Sequence, residues 1–339
     1  MGGQIRPFDV AAASELYQRL LVPIKGVTAG KTHLIFAAGG VLGQIPFGVL
    51  LTQPATSQPA PTLNAQAPWL IRQAAITHVP SLSAWTAVKQ LAKTASAPDS
   101  LAAWGDPQFG GKAPAALTRA SPSLDLEDTG TALRYGDIPA LPETRDELLA
   151  IARALKADPQ RDLHLGDGAT KASVLQSNRS GELLKKEVIA FATHGLMAGD
   201  LPKLTQPALA LAGTGNEVAD PLGALLTLDE VLGLKLNADW VVLSACNTAA
   251  SDGKGEEALS GLARGFFYAG SRSLLVTHWA VESESAKQLT TATFDHYTQN
   301  PQARKAESLR QAMLKVMANP KFSHPAFWAP YALVGDGGR

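Results

Sequence analysis

The chain has one cysteine, Cys246, placed just after the apolar run Trp240-Val241-Val242-Leu243 and just before Asn247-Thr248. A thiol at the end of a strand can act as a nucleophile toward a carbonyl carbon, provided that it is exposed and has a group beside it to manage protons. The run Val188-Ile189-Ala190-Phe191-Ala192-Thr193 ends in the same way, in His194-Gly195, with the histidine 52 residues before the cysteine. In open α/β sheets the functional crevice lies at the carboxyl ends of the strands, so the two side chains are expected to share one cleft. The His194 imidazole can take the thiol proton or give one to a leaving amine, a contribution of about 10²–10⁴ in rate. Gly195 lets a substrate backbone approach closely. The amides of Gly195 and Cys246 are expected to hold a developing oxyanion, each such donor being worth about 10²–10³.

Each residue also has a plainer role. Most free cysteines are small buried apolar residues, and a lone histidine is more often a satisfied hydrogen-bonding group than a catalyst. Their joint placement at two strand ends favours the chemical reading. A histidine about 50 residues before a reactive cysteine is also the caspase-type spacing.

Other motif-like strings do not hold. Gly30-Lys31-Thr32 resembles the end of a phosphate-binding loop, but position 25 is lysine rather than glycine, and the strand follows instead of preceding. Ser244 is not in a Gly-x-Ser-x-Gly elbow. His33, His78, His164, His278, His296 and His324 show no metal-ligand spacing. Gly39 to Gly43 is a poor dinucleotide fingerprint. No cofactor is expected.

With 339 residues, 45% of them apolar, the chain can bury a sizeable core. Thirty basic residues balance thirty acidic ones, which leaves no long-range field for nucleic acid or an anionic membrane. The expected partners are proteins or peptides. A single cysteine forbids an internal disulfide and suits a reducing, cytoplasmic setting. The start has no apolar signal core, and position 6 is arginine rather than the Ser or Thr of a myristoylation site. Leu34 to Leu51 is nearly all apolar but carries Gly39-Gly40, Gly43, Pro46 and Gly48, so it reads as strand, turn, strand rather than a membrane span.

The elements that must position the two residues follow from periodicity. A helix is expected at Ala11 to Leu21, strands at His33 to Ala38, Leu70 to Thr77 and Leu101 to Trp104, and a Pro-rich loop at Thr52 to Pro68. Gly105 to Tyr135 has little periodicity, and the main subdomain boundary is placed inside it, with the catalytic subdomain taken as 140–336 and the first subdomain as 1–139. Beyond it the chain alternates regularly. A helix at Glu143 to Leu155 opens on Thr144-Arg145-Asp146-Glu147, and another on Thr227-Leu228-Asp229-Glu230, both fitting a capping box. Strands are expected at Asp162 to Leu165, 188–193, 208–212, 240–243, 273–277 and 331–334, with helices near 171–177, 256–269, 283–299 and 303–317. The class is α/β with a mostly parallel sheet flanked by helices.

Two strings, Ala190-Phe191-Ala192-Thr193-His194-Gly195 and Val241-Val242-Leu243-Ser244-Ala245-Cys246-Asn247-Thr248, resemble the signatures of the CHAT domain. This is a caspase- and separase-related family of clan CD cysteine peptidases that is often fused to tetratricopeptide repeats. The resemblance continues through Gly261 to Gly270, Thr277-His278-Trp279-Ala280-Val281, His324 to Trp328 and Leu333-Val334-Gly335-Asp336, with weaker landmarks at Pro46-Phe47 and Gly105-Asp106-Pro107. Ala249-Ala250 replaces the glycine common after the cysteine string.

The resemblance implies a cysteine endopeptidase with a His194/Cys246 dyad, a first subdomain that is a degenerate caspase-like buttress, and regulation by repeats or an activator. It also implies that substrate adds as a strand beside Thr277, His278, Trp279, Ala280 and Val281, with Trp279 either walling a pocket or simply packing the core. Asp229, Asp252, Glu282 and Glu284 are acids near the expected cleft and could select a basic residue before the cut. Their alternative role is at helix starts. Two rivals remain: a catalytically silent interaction module of the same fold, and a nucleotide-binding doubly wound domain, which lacks a phosphate-cradling loop.

Overall fold

The computed structural model describes residues 5–53, 65–90, 99–110, 134–213, 215, 220, 222–244, 261–279 and 281–338. Its strands are β1 (His33–Phe36), β2 (Ala75–His78), β3 (Asp99–Gly105), β4 (Leu163–Leu165), β5 (Lys186–Ala192), β6 (Gly195–Leu196), β7 (Ala208–Ala210), β8 (Leu225–Thr227), β9 (Trp240–Leu243), β10 (Ser273–Thr277) and β11 (Tyr331–Gly335).

Central strands are apolar on both faces, as buried parallel strands must be. In β5, Val188, Ala190 and Ala192 join one core while Ile189 and Phe191 join the other. In β9, Trp240 and Val242 take the first side and Val241 and Leu243 the second. This period-two alternation needs cover on both sides. On the first face lie Glu143–Ala154, Ser283–Gln299 and Lys305–Ala318, burying Leu148, Ile151, Leu289, Phe294, Leu309 and Met313. On the second lie Lys171–Arg179 and Gly261–Ala269, burying Val174, Leu262 and Phe266.

The large sheet has the order β1-β2-β11-β10-β9-β5-β3-β4. Pairs β1–β2, β3–β4, β3–β5, β5–β9 and β9–β10 are parallel, and β10–β11 is antiparallel. The chain is therefore α/β with a mostly parallel sheet, as expected. Strands from both sides of residue 140 share this sheet, because β3 lies between β5 and β4. A second sheet, β6-β7-β8, is antiparallel and has its own apolar core of Leu196, Ala208, Leu225, Phe109 and Tyr135. Among the described residues no helix is long and apolar enough to cross a membrane.

Three local expectations change. Leu70 to Thr77 is not one strand: Leu70–Gln73 is a helical turn before β2, and the Arg310 guanidinium caps the Ile71 and Arg72 carbonyls at 2.8 and 2.5 Å. Leu34 to Leu51 forms β1 and then two 3-10 turns, Gly40–Gln44 and Phe47–Val49, leaving Leu51 with a single bridge to Trp69. Pro46, with no N–H to give a ladder, stands between the turns. Thr144 is not an N-cap. It lies inside the Glu143–Ala154 helix, where its buried hydroxyl donates to the Leu141 carbonyl and accepts the Asp106 N–H, each at 2.7 Å. The box at Thr227 and Glu230 forms as expected.

Candidate active site

Strands β5 and β9 run side by side with Phe191 opposite Leu243, and the Ser244 N–H continues the ladder to the Phe191 carbonyl at 3.0 Å. Both strands thus end at the same side of the sheet, where Thr193 and Ser244 follow them. After β5 the chain is stitched sideways. The buried Thr193 hydroxyl donates to the Ala210 carbonyl, and the Ala210 N–H donates to the His194 carbonyl at 2.9 Å. That bond makes Gly195 and Leu209 the pair that does not exchange N–H···O bonds, so the Gly195 amide points away from β7.

The His194 ring is half-buried, and its Nε2 is 2.8 Å from the Pro139 carbonyl oxygen. A carbonyl only accepts, so Nε2 carries the hydrogen and the neutral ring has its lone pair on Nδ1. The Phe109 ring lies against the imidazole, centroid to centroid 5.7 Å. Composition and spacing gave no hint of the Pro139 and Phe109 contacts, because one is a main-chain atom and the other follows an irregular turn.

That turn is held firmly. Gly105 ends β3 where a Cβ would meet Leu148 Cδ1 at 2.6 Å, so the Glu143–Ala154 helix packs directly on the strand end. Asp106 follows with φ of 50°, a left-handed conformation that non-glycine residues seldom adopt. Its carboxylate receives Arg145 Nε at 2.8 Å and Nη2 at 2.7 Å, and its N–H goes to Thr144. The strain sits within a network that anchors the segment carrying Phe109. The Tyr135 ring packs against Phe109, centroid to centroid 5.7 Å, and its hydroxyl donates to the Leu211 carbonyl, fixing the turn leading to Pro139.

Cys246, Asp252 and Ala280 lie outside the described residues. The remaining sequence candidates separate into distinct environments. Thr277 is buried opposite Tyr331, and the His278 N–H bonds the Pro330 carbonyl at 2.8 Å, so β11 occupies one edge of that segment. Trp279 packs partly on the core and donates Nε1 to the Ala326 carbonyl at 3.1 Å. Val281 is a core residue. Glu282 caps the Ser283–Gln299 helix by accepting the Ser285 N–H at 2.8 Å. Asp229 is exposed in a short helix and accepts Gln206 Nε2 at 2.8 Å.

His278 differs from His194. Its Nε2 is buried with no hydrogen-bond partner among the described residues, and burial pushes its pKa down to about 4. The His78 ring is 5.8 Å away, and burial first, then the His278 charge, pushes His78 down to about 3. Among the described residues no group of three or more His, Cys, Asp or Glu side chains could hold a metal ion.

Tetratricopeptide repeat protein 28 of Mus musculus is 27% identical over 226 residues, covering 58% of this chain and 9% of that protein. The Homo sapiens protein of the same name is 27% identical over 222 residues, 58% of this chain and 8% of its own length. The chain therefore spans under a tenth of the curated relatives it matches. Among solved structures, the Arg-specific cysteine proteinase gingipain R aligns over 86% of this chain and 59% of its own, with a TM-score of 0.44 and 10% identity. The Saccharomyces cerevisiae separase–securin complex aligns over 77% of this chain and 14% of its own, with a TM-score of 0.45 and 11% identity. A model of the CHAT domain matches residues 10–336, nearly the whole chain, and the chain belongs to that family.

Proposed function

We propose that the protein is a cysteine endopeptidase in which Cys246 attacks the scissile carbonyl and His194 manages the protons. The observation that carries this reading is the His194 Nε2–Pro139 bond at the carboxyl end of β5, beside the strand that leads to the only cysteine. Cys246 follows Ser244 by two residues, a span of at most about 7 Å. With Nε2 committed to Pro139, Nδ1 accepts the thiol proton. The thiolate adds to the carbonyl carbon, and the oxyanion is held by the Gly195 and Cys246 amides. The tetrahedral species collapses as the imidazolium protonates the leaving amine, giving a thioester. Water then gives a proton to His194 and attacks the thioester, and the thiol leaves with that proton.

On this reading the substrate is an extended protein segment lying along residues 277–281, which follow on from β10, on the side away from β11. The first 139 residues act as a buttress, and repeats elsewhere in a longer chain, or an activator, gate the cleft. The test is mass-spectrometric mapping of cuts in proteome-derived peptides by the wild type, Cys246→Ala and His194→Ala, alongside the alkylation rate of Cys246 near neutral pH. Cuts made only by the wild type, with a fast thiol that His194→Ala slows, are expected. Absence of dyad-dependent cuts together with a slow thiol overturns the proposal and leaves a protein-binding module.

A further inference from the structure

We propose that the outer edge of β1, with the cleft beside it, docks an acidic, apolar segment of a partner protein that adds to the sheet as a strand. β1 ends the large sheet, five strand positions and so about 24 Å from β5, the strand that leads to His194. The Ala75 and Val79 N–H groups bond the Thr32 and Phe36 carbonyls, each at 2.9 Å. By the alternation of a parallel ladder, the backbone groups of His33 and Ile35 point away from β2, and no described residue pairs with them. Among the described residues they are unpaired donors and acceptors at strand spacing, the template that strand addition uses.

The stretches of chain before and after β1 expose apolar side chains. Seven of the eleven exposed large hydrophobic residues among those described fall between Ile5 and Leu42. They include Val22, Ile24, Val27 (72% exposed), Ile35 and Val41 (74% exposed). A cleft of about 300 Å³ beside β1 is lined by Tyr17, Leu21, Lys25, Lys31, Leu34 and Leu70, among others. An edge protected against association carries its charge within the strand. Here Lys25 and Lys31 lie before β1, and Ile35 lies exposed inside it.

Charge selects the occupant. Residues 16–98 contain six Lys or Arg and no Asp or Glu, an asymmetry hidden by the overall balance of thirty against thirty. No described acid forms an ion pair with Lys25 or Lys31. A segment alternating acidic with apolar residues would satisfy the strand edge, the cleft and the lysines together. The outward backbone of His33 and Ile35 favours a peptide strand over an anionic membrane, which offers no backbone to pair with.

The test uses the full chain and a labelled peptide alternating glutamate with valine, read by fluorescence anisotropy. The controls are the same peptide with lysine for glutamate and vesicles containing phosphatidylserine. Binding of the glutamate peptide is expected to weaken about tenfold in the Lys25→Glu/Lys31→Glu variant and about tenfold in Ile35→Pro. Proline there removes an outward N–H at a sheet edge, a position that tolerates it. Cys246→Ala is expected to bind as the wild type does. Equal binding of the lysine peptide, undiminished binding by a folded Ile35→Pro, or binding to vesicles but not to the peptide overturns the proposal. Should Ile35→Pro fail to fold, unchanged affinity in the double lysine variant overturns it as well.

Discussion

Two strands of the same sheet end on the same dipeptide: β5 leads into Thr193-His194 and β10 into Thr277-His278. Their surroundings make them different chemical objects. His194 is half-buried and gives its Nε2 hydrogen to a carbonyl 2.8 Å away. His278 has a buried Nε2 without a hydrogen-bond partner among the described residues and faces the His78 ring 5.8 Å away. Neighbouring strands decide the outcome. β5 hands its chain to β6, which turns outward against β7, whereas β10 stays paired with β11 to its last residue. On the proposed function, the ring held by the Pro139 carbonyl is the one that carries protons, and the ring packed beside β11 is not.

The largest effect should come from exchanging the roles of these rings. His194→Gln is expected to lower kcat/KM by about 10²–10⁴, the usual weight of a general acid–base group, while His278→Phe should stay within a few-fold of the wild type. The measurement is steady-state kinetics on whichever peptide the cleavage map identifies. Equal losses in the two variants would break the comparison and place His278 in the machinery.

The second separation is in stability against pH. His78 and His278 have folded pKa values of about 3 and about 4, below the ordinary histidine value of 6.5. Between pH 6.5 and about 4 the unfolded chain therefore binds more protons than the folded one, and stability falls as the pH falls. The loss from His278 alone is on the order of 3 kcal/mol across that window. His278→Phe should flatten the slope of Tm against pH between those limits. A slope equal to that of the wild type would mean that the ring is not buried neutral.

The same lesson separates what was legible in the sequence from what was not. The alternation of Ile189 and Phe191 with Val188 and Ala190 was readable because parallel strands bury both faces, and the apolar runs left no other solution. The His194 position was readable for that reason, as a polar residue ending such a run. Pro139 and Phe109 were not, since the imidazole meets them through irregular backbone 55 and 85 residues away in the chain. Sheet order was not readable either. Nothing in the pattern of β3 announces that it pairs with β5 rather than with β2. The charge asymmetry of residues 16–98 was in plain view but vanished into a whole-chain total.

Two threonines with the same capping-box pattern give the finest version of the comparison. Thr144 holds the Asp106 amide in a buried network that positions Phe109 against His194, whereas Thr227 caps the half-exposed start of Leu228–Leu232. Thr144→Val should leave a buried N–H unsatisfied and cost about 2–3 kcal/mol in denaturant unfolding. It should also lower kcat/KM, because the segment bearing Phe109 loses its anchor. Thr227→Ala removes only a cap and should cost about 1 kcal/mol, with kcat/KM unchanged. If the two substitutions cost the same and neither touches activity, the Asp106 turn does not transmit its geometry to the imidazole, and the orientation of His194 rests on Pro139 alone.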